Sequence, residues 1–321
     1  MDEAEKPKKK VAKAKPAATA KAKPAATAKP KAAASAKPKA KAAKTPSLKM
    51  PHDPHAEVTG FIRDWKTARN LKMPGDRKTC LKHLEKVDQA FNRYDLIDAI
   101  EHLVKAINAD PSDLRPLTQF IRLCCGEDWQ TRCDYLEAIK EQIDDELGFD
   151  PEIEISAGQK EELLLIVTET AEVLFELKRY EDVQPLILMS LHRLGLDESA
   201  SGLIVLSMFA AALAGDFDML AMLLGDEVDD MPAQILPIAL FMHIRNGNDA
   251  GALKVLALLR QEAPVMVDFL TGKIDALKCS FELAGSGLVA ESIAIEKFIA
   301  PFWSQHPEGR AWLLRNSFVR R

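Results

Sequence analysis

The sequence predicts an all-α protein: a helical-hairpin repeat array preceded by a disordered N-terminal tail. Three observations predict it. Apolar residues recur at helical spacing through residues 80–318, with almost no alternating stretch to suggest a strand. Short turns of Gly, Asn, Asp and Pro interrupt that pattern at intervals suited to paired helices. Residues 1–50 lack apolar periodicity and instead repeat Lys, Ala and Pro.

Three segments follow from this: a tail over 1–50, a linker with a short helix over 51–79, and a repeat domain over 80–318. In the tail, KAKPAATA stands at 13–20 and again at 21–28, and KPKAAASA and KPKAKAAK continue the rhythm at 29–36 and 37–44. Proline breaks any helix that alanine would favour, and nothing is present to bury, so the segment is expected to be extended and disordered. It carries 15 Lys, no Arg and 3 acids, whereas residues 51–321 carry 28 Lys and Arg against 45 Asp and Glu. Clustered ammonium groups attract phosphate. The candidate nucleic-acid or polyanion contacts are Lys8, Lys9, Lys10, Lys13, Lys15, Lys21, Lys23, Lys29, Lys31, Lys37, Lys39, Lys41 and Lys44. With no Arg or aromatic side chain to read bases, such binding would be independent of sequence. The same composition also suits a solubilising linker, or a segment that folds back on the acidic body.

Within the linker, Val58 to Leu71 is predicted helical, with Trp65 packing on the first repeat. PHDPH (51–55) offers His52 and His55 but no further ligand, and GDRKT (75–79) lacks the spaced glycines of a phosphate-binding loop. The first hairpin is expected to bury Leu81, Leu84, Val87 and Phe91 against Leu96, Ile100, Leu103 and Ile107, turning at Asn92–Asp95. Leu114–Cys125 and Trp129–Leu147 form the next pair. PEIEI (151–155) is an extended edge or a linker. Gln159–Leu177 pairs with Glu181–Leu194, and Ala200–Ala214 with Phe217–Leu224, followed by an acidic loop over 226–230.

Ala233–Arg245 is apolar almost all round and therefore an inner helix. Asn246–Asp249 turns the chain into Ala250–Glu262, which is expected to bury Leu253, Leu256 and Leu259 and to end at Pro264. Three further helices close the chain: Ile274–Leu283, Ala290–Gln305 and Glu308–Phe318. No pair can bury its own apolar face, so the units must stack.

No catalytic motif of the GxSxG, HExxH or GxGxxG type occurs. His83, His102, His192 and His243 fall on separate helices and read as surface or packed residues. Glu141, Asp144, Asp145 and Glu146 read as a solvated face, and Met208, Met219 and Met222 as core filling. Cys80, Cys124, Cys125, Cys133 and Cys279 are odd in number and form no CxxC pair, which predicts buried reduced thiols. The chain is expected to be non-catalytic, without cofactor or metal. No targeting segment is expected from MDEAEKPKKK, which no apolar stretch follows, and no apolar run is long enough for a membrane-spanning helix. The expected location is the cytoplasm or the nucleoid. An enzyme with an unrecognised site is the outlying alternative.

AFNRYDLIDAIEHLVKAINADP (90–111) places a small residue, a turn, an aromatic, Ala and a closing Pro where a tetratricopeptide repeat has them. FELKRYEDVQPLI (175–187) and FMHIRNGNDAGALKVL (241–256) follow that pattern more loosely. Together with DES (197–199), APVMVDFLTGK (263–273) and GSGLVAESIAIEKFIAPFWSQHPEGRAWL (285–313), the order resembles bacterial tetratricopeptide-like proteins related to the suppression-of-tumorigenicity family. The resemblance spans residues 80–315 and implies a tetratricopeptide-like solenoid. Its implied role is a scaffold that binds a protein or peptide on its concave face, and it brings no catalytic residue. The tail resembles those of linker histones, which implies the alternative of a nucleic-acid-associated protein.

Overall fold

A computed structural model describes residues 54–148, 155–194, 201–225 and 231–316. The Lys-rich tail, His52, the side chain of His55, most of PEIEI, the DES cap and the acidic loop lie outside these residues. Every described element is helical, and the helices pack as successive hairpins around one continuous core. None of them is long and apolar enough to cross a membrane.

The helices are α1 (Pro54–Asn70), α2 (Arg77–Asn92), α3 (Leu96–Ala109), α4 (Leu114–Cys125), α5 (Trp129–Leu147), α6 (Ala157–Glu176), α7 (Tyr180–Leu194) and α8 (Ser201–Ala214). They continue as α9 (Phe217–Leu224), α10 (Leu236–Arg245), α11 (Asp249–Glu262), α12 (Pro264–Leu270) and α13 (Ala276–Gly285). The chain closes with α14 (Val289–Ala294), a π-helical turn (Ile295–Ile299), α15 (Ala300–Gln305) and α16 (Pro307–Asn316).

One local device is repeated throughout. At the ends of α1, α2, α6, α8, α10, α12 and α13 a residue with positive φ folds back: Lys72, Tyr94, Lys178, Gly215, Gly247, Gly272 and Gly287. Its N–H reaches the carbonyl three residues earlier, and the next N–H reaches five residues back, as in Tyr94 to Phe91 and Asp95 to Ala90. These bonds use helix-end carbonyls that would otherwise lack partners. In several hairpins the next residue already caps the following helix: Asp95, Asp216 and Asn248 each accept a backbone N–H three residues on. Helix, turn and helix are therefore specified within about four residues.

The short helix expected within 51–79 packs into the core on the side expected of it. Val58, Phe61, Ile62, Trp65 and Ala68 of α1 are all buried. Pro264 ends α11 as expected but also opens α12, because proline suits the first helical turn. Seven consecutive residues of α10, Leu236–Met242, are buried, which is the inner position its composition predicts. Other sequence-based assignments differ in face. Leu81, Phe91, Leu96 and Leu253 point outward, and Met222 is 66% exposed rather than core filling.

The closing helix is not the uniform α-helix expected over 290–305. Pro301 has no N–H, and its ring would crowd the carbonyl four residues earlier. The π turn just before it widens the helix, with Ala300 N–H bonding Ile295 O. This helix reaches back into the array. Phe298 stacks on Phe209 at 4.3 Å and meets Phe175 at 4.8 Å, while Phe302, Trp303 and His306 surround Phe241 at 5.1, 6.1 and 4.4 Å. Parts of α6, α8 and α10 are thus covered by the chain itself.

Gly309 of α16 lies under that cluster: a Cβ there would meet the Trp303 ring at 2.6 Å and Phe241 at 3.2 Å. Gly309→Ala is expected to cost about 1–3 kcal/mol through overpacking, read as a lower urea midpoint at unchanged m-value.

Candidate functional site

Three surfaces of the fold carry chemistry beyond packing. The first is a charged cleft of about 310 Å³ where the start of α2, the α3–α4 turn and the start of α6 converge. Asp110, Ser112, Asp113, Arg115, Glu161 and Glu162 line it, together with Arg77. Asp113 caps α4 through the Arg115 N–H at 3.1 Å and accepts from Arg115 Nε at 2.8 Å. Burial pushes the Asp113 carboxyl up, but the hydrogen bonds and charge of Arg115 outweigh it and hold it below the usual carboxylate range. Asp110 is itself buried and accepts from Ser112 N–H at 3.2 Å.

Behind the cleft Arg69 of α1 donates to Glu162 at 2.5 Å and to both oxygens of Glu146 at 2.8 Å. Burial raises the Glu162 carboxyl, and Arg69 offsets only part of that rise. Glu146 stays exposed, as expected of its solvated face, and pairs there with Arg69. Asp144 of the same face pairs with Lys140 at 2.6 Å. The arrangement positions α1; the cleft beside it offers carboxylates to a basic group. Sequence reading missed it because its parts come from residues 77, 110–115 and 158–165.

An interior clamp joins α4, α5 and α6. Arg132, 4% exposed, donates to Glu169 at 2.7 Å and lies over the Trp129 ring at 5.5 Å, and Arg122 donates to the other Glu169 oxygen at 2.8 Å. This is structural chemistry: the charges are paired and hold neighbouring helices in register.

The second surface runs along the α2–α3 hairpin. His83 and His102, expected to stand apart, face each other across it with Nδ1 atoms 3.2 Å apart. Antiparallel pairing brings together residues that the sequence separates. One nitrogen must donate and the other accept, so the contact needs at least one neutral ring. Asp98 lies 3.5 Å from His102 Nε2, and Lys82, Lys86 and Lys105 surround the pair. Burial lowers the proton affinity of both rings. For His83 the charges of His102 and the lysines add to this, and for His102 Asp98 opposes it. Folding therefore expels protons. Stability is complete above the ordinary histidine value of about 6.5 and falls as pH drops through it. Thermal midpoints measured from pH 8 to pH 5 are expected to decline, and His83→Gln should flatten that decline.

The third surface is at the tip of the same hairpin, where Phe91, Tyr94, Leu96 and Ile97 are 36%, 93%, 54% and 67% exposed. Tyr94 holds φ at 58°. This is the same helix-ending turn that Lys72 and Lys178 make, and its cost of on the order of 1–2 kcal/mol is offset by the bonds from the Tyr94 and Asp95 N–H groups to Phe91 O and Ala90 O.

The remaining candidates stay apart. His243 meets Asn248 at 3.2 Å and no second histidine. All five cysteines are buried free thiols. Burial pushes Cys80, Cys124, Cys133 and Cys279 up to about 12 and Cys125 to about 11, so none is a thiolate nucleophile near neutral pH. Among the described residues no group of three or more His, Cys, Asp and Glu is arranged to hold a metal ion. Compared with known proteins, the chain matches no protein-family model and no curated protein.

Proposed function

We propose that the chain is a non-catalytic scaffold that binds a protein or peptide partner through the surface of its helical repeats, in the cytoplasm. The observation that carries this reading is the exposed row at the α2–α3 tip, where Phe91, Tyr94, Leu96 and Ile97 present aromatic and branched apolar side chains to solvent. Exposed aromatic and branched apolar side chains on a rigid turn are the chemistry of interface anchors. Kinship with the tetratricopeptide-like proteins related to the suppression-of-tumorigenicity family belongs to the same reading. It is supported by the quoted segments and by the recurrence of one turn geometry along the array.

The test is a photo-crosslinking residue at position 97 of the full chain in its own cells. A discrete adduct that disappears with Tyr94→Asp supports the reading. No adduct, or one indifferent to Tyr94→Asp, rejects it.

A second reading rests on the 15 lysines of residues 1–50: association with nucleic acid at the nucleoid, independent of sequence. The full chain would then retain DNA at low salt and release it at moderate salt. Changing the thirteen lysines named above to Gln would abolish retention. A chain that ignores DNA at low salt ends that reading.

A further inference from the structure

The α13–α14 hairpin has an apolar outer face. Leu277 and Phe281 on α13 are 65% and 76% exposed, and Val289 and Ile293 on α14 are 56% and 50% exposed. The seam between the helices is marked by the buried Ser280–Ser292 hydrogen bond of 2.8 Å. At about 100° per residue, Leu277 and Phe281 lie roughly 60–100° to one side of Ser280. Val289 and Ile293 stand at the same offsets from Ser292. Because the helices are antiparallel, equal offsets fall on the same side of the hairpin. The four side chains therefore form one patch, of the order of 400 Å².

From this patch we infer that the chain forms a two-fold dimer through α13–α14, with α13 antiparallel to α13 of a second copy. Two properties select a second copy as the occupant. The first is charge. Leu277 against Phe281 of the second copy sets Lys278 against Glu282 of that copy and Glu282 against its Lys278. Both pairs flank the apolar row on one side. Within one chain these two groups are only loosely paired, at 3.9 Å, with side chains 61% and 50% exposed, so they are free to exchange partners. An isologous interface requires this kind of self-complementarity.

The second property is area. Two such patches supply on the order of 800 Å² of apolar surface, and the charged rim brings the total toward the ~1,200 Å² at which specific interfaces begin. Helical arrays end in a polar outer face when they are to stay solitary, and this hairpin does not. The inference is independent of the partner surface at α2–α3.

The experiment is sedimentation velocity on the full chain from about 1 to 100 µM. It is run at about 0.15 M NaCl, where the charge-reversal variants are compared, and repeated at about 0.5 M NaCl, where attraction between the Lys-rich segment and the acidic body is screened. A concentration-dependent dimer is expected. Phe281→Asp, at a side chain that contributes little to the fold, should weaken it at least ~10-fold with unchanged circular dichroism. Lys278→Glu alone should weaken it, and Lys278→Glu with Glu282→Lys should restore it. A wild-type chain that stays monomeric at about 100 µM overturns the inference. So does a dimer indifferent to Phe281→Asp, or one that the double reversal fails to restore.

Discussion

Trp65→Ala is expected to destabilise the folded chain by about 3–5 kcal/mol, the usual cost of emptying a large aromatic site in a packed core. Trp65 is fully buried, and its indole N–H donates to Pro111 O at 2.9 Å. It is the point at which α1 is fixed to the α3–α4 turn, and Phe61 extends the same contact onto Phe120 at 4.5 Å. Trp65→Phe keeps most of the filling and loses the hydrogen bond, so roughly 1–2 kcal/mol is expected for it. Urea denaturation of the full chain reads both. A loss below about 1 kcal/mol for Trp65→Ala would mean that α1 is only loosely attached.

Arg69→Ala is the second large effect, about 3 kcal/mol near neutral pH, because it strands the largely buried Glu162 carboxylate, while the exposed Glu146 keeps the Gln142 amide at 3.0 Å. Arg69 and Glu162 are 10% and 19% exposed at their side chains, and Glu146 is 31% exposed. The pH dependence separates charge from packing. Burial already raises the Glu162 carboxyl, and Arg69 is what opposes that rise. Without Arg69 the folded value climbs further above the unfolded one. A carboxyl raised in the folded state gains protons on folding, so its penalty is greatest at high pH and shrinks as pH falls through the raised value. The deficit of Arg69→Ala relative to wild type should therefore be smaller at pH 5 than at pH 8. An equal deficit at both would assign the loss to the Arg69 stem, whose guanidinium lies 5.6 Å from the Trp65 ring centroid.

The helices were legible because their ends are written locally. Asp76, Asp95, Asp113, Asp128, Ser156, Asp216, Asn248 and Asp275 each cap a helix through their own side chains. Periodicity also identified α10 as an inner helix. It did not identify faces in the outer hairpins, where Leu81, Leu96 and Leu253 satisfy the helical spacing yet meet solvent. An apolar stripe states that a face can be buried, not that a neighbour exists to bury it. The His83–His102 contact and the charged cleft were hidden for a different reason: each depends on which helices become neighbours, and no local rule encodes that. The lysines proposed for nucleic acid lie outside the described residues, so that part of the candidate site rests on composition alone.

The closing helix changes what kind of object the array is. Stacked hairpins that touch only their neighbours behave like a zipper, able to fray from either end. Here Lys297 reaches Glu176 at 3.2 Å across 121 residues of chain, and Phe298 lies between Phe175 and Phe209. The last rungs are thereby fastened to the middle ones, and opening the C-terminal end uncovers aromatic surface deep in the array. Such a molecule should lose its helices from α6 onward in a single step on heating. In folding, the hairpins can assemble early, each from its own turn, while the fastening helix must wait for partners made more than a hundred residues before it.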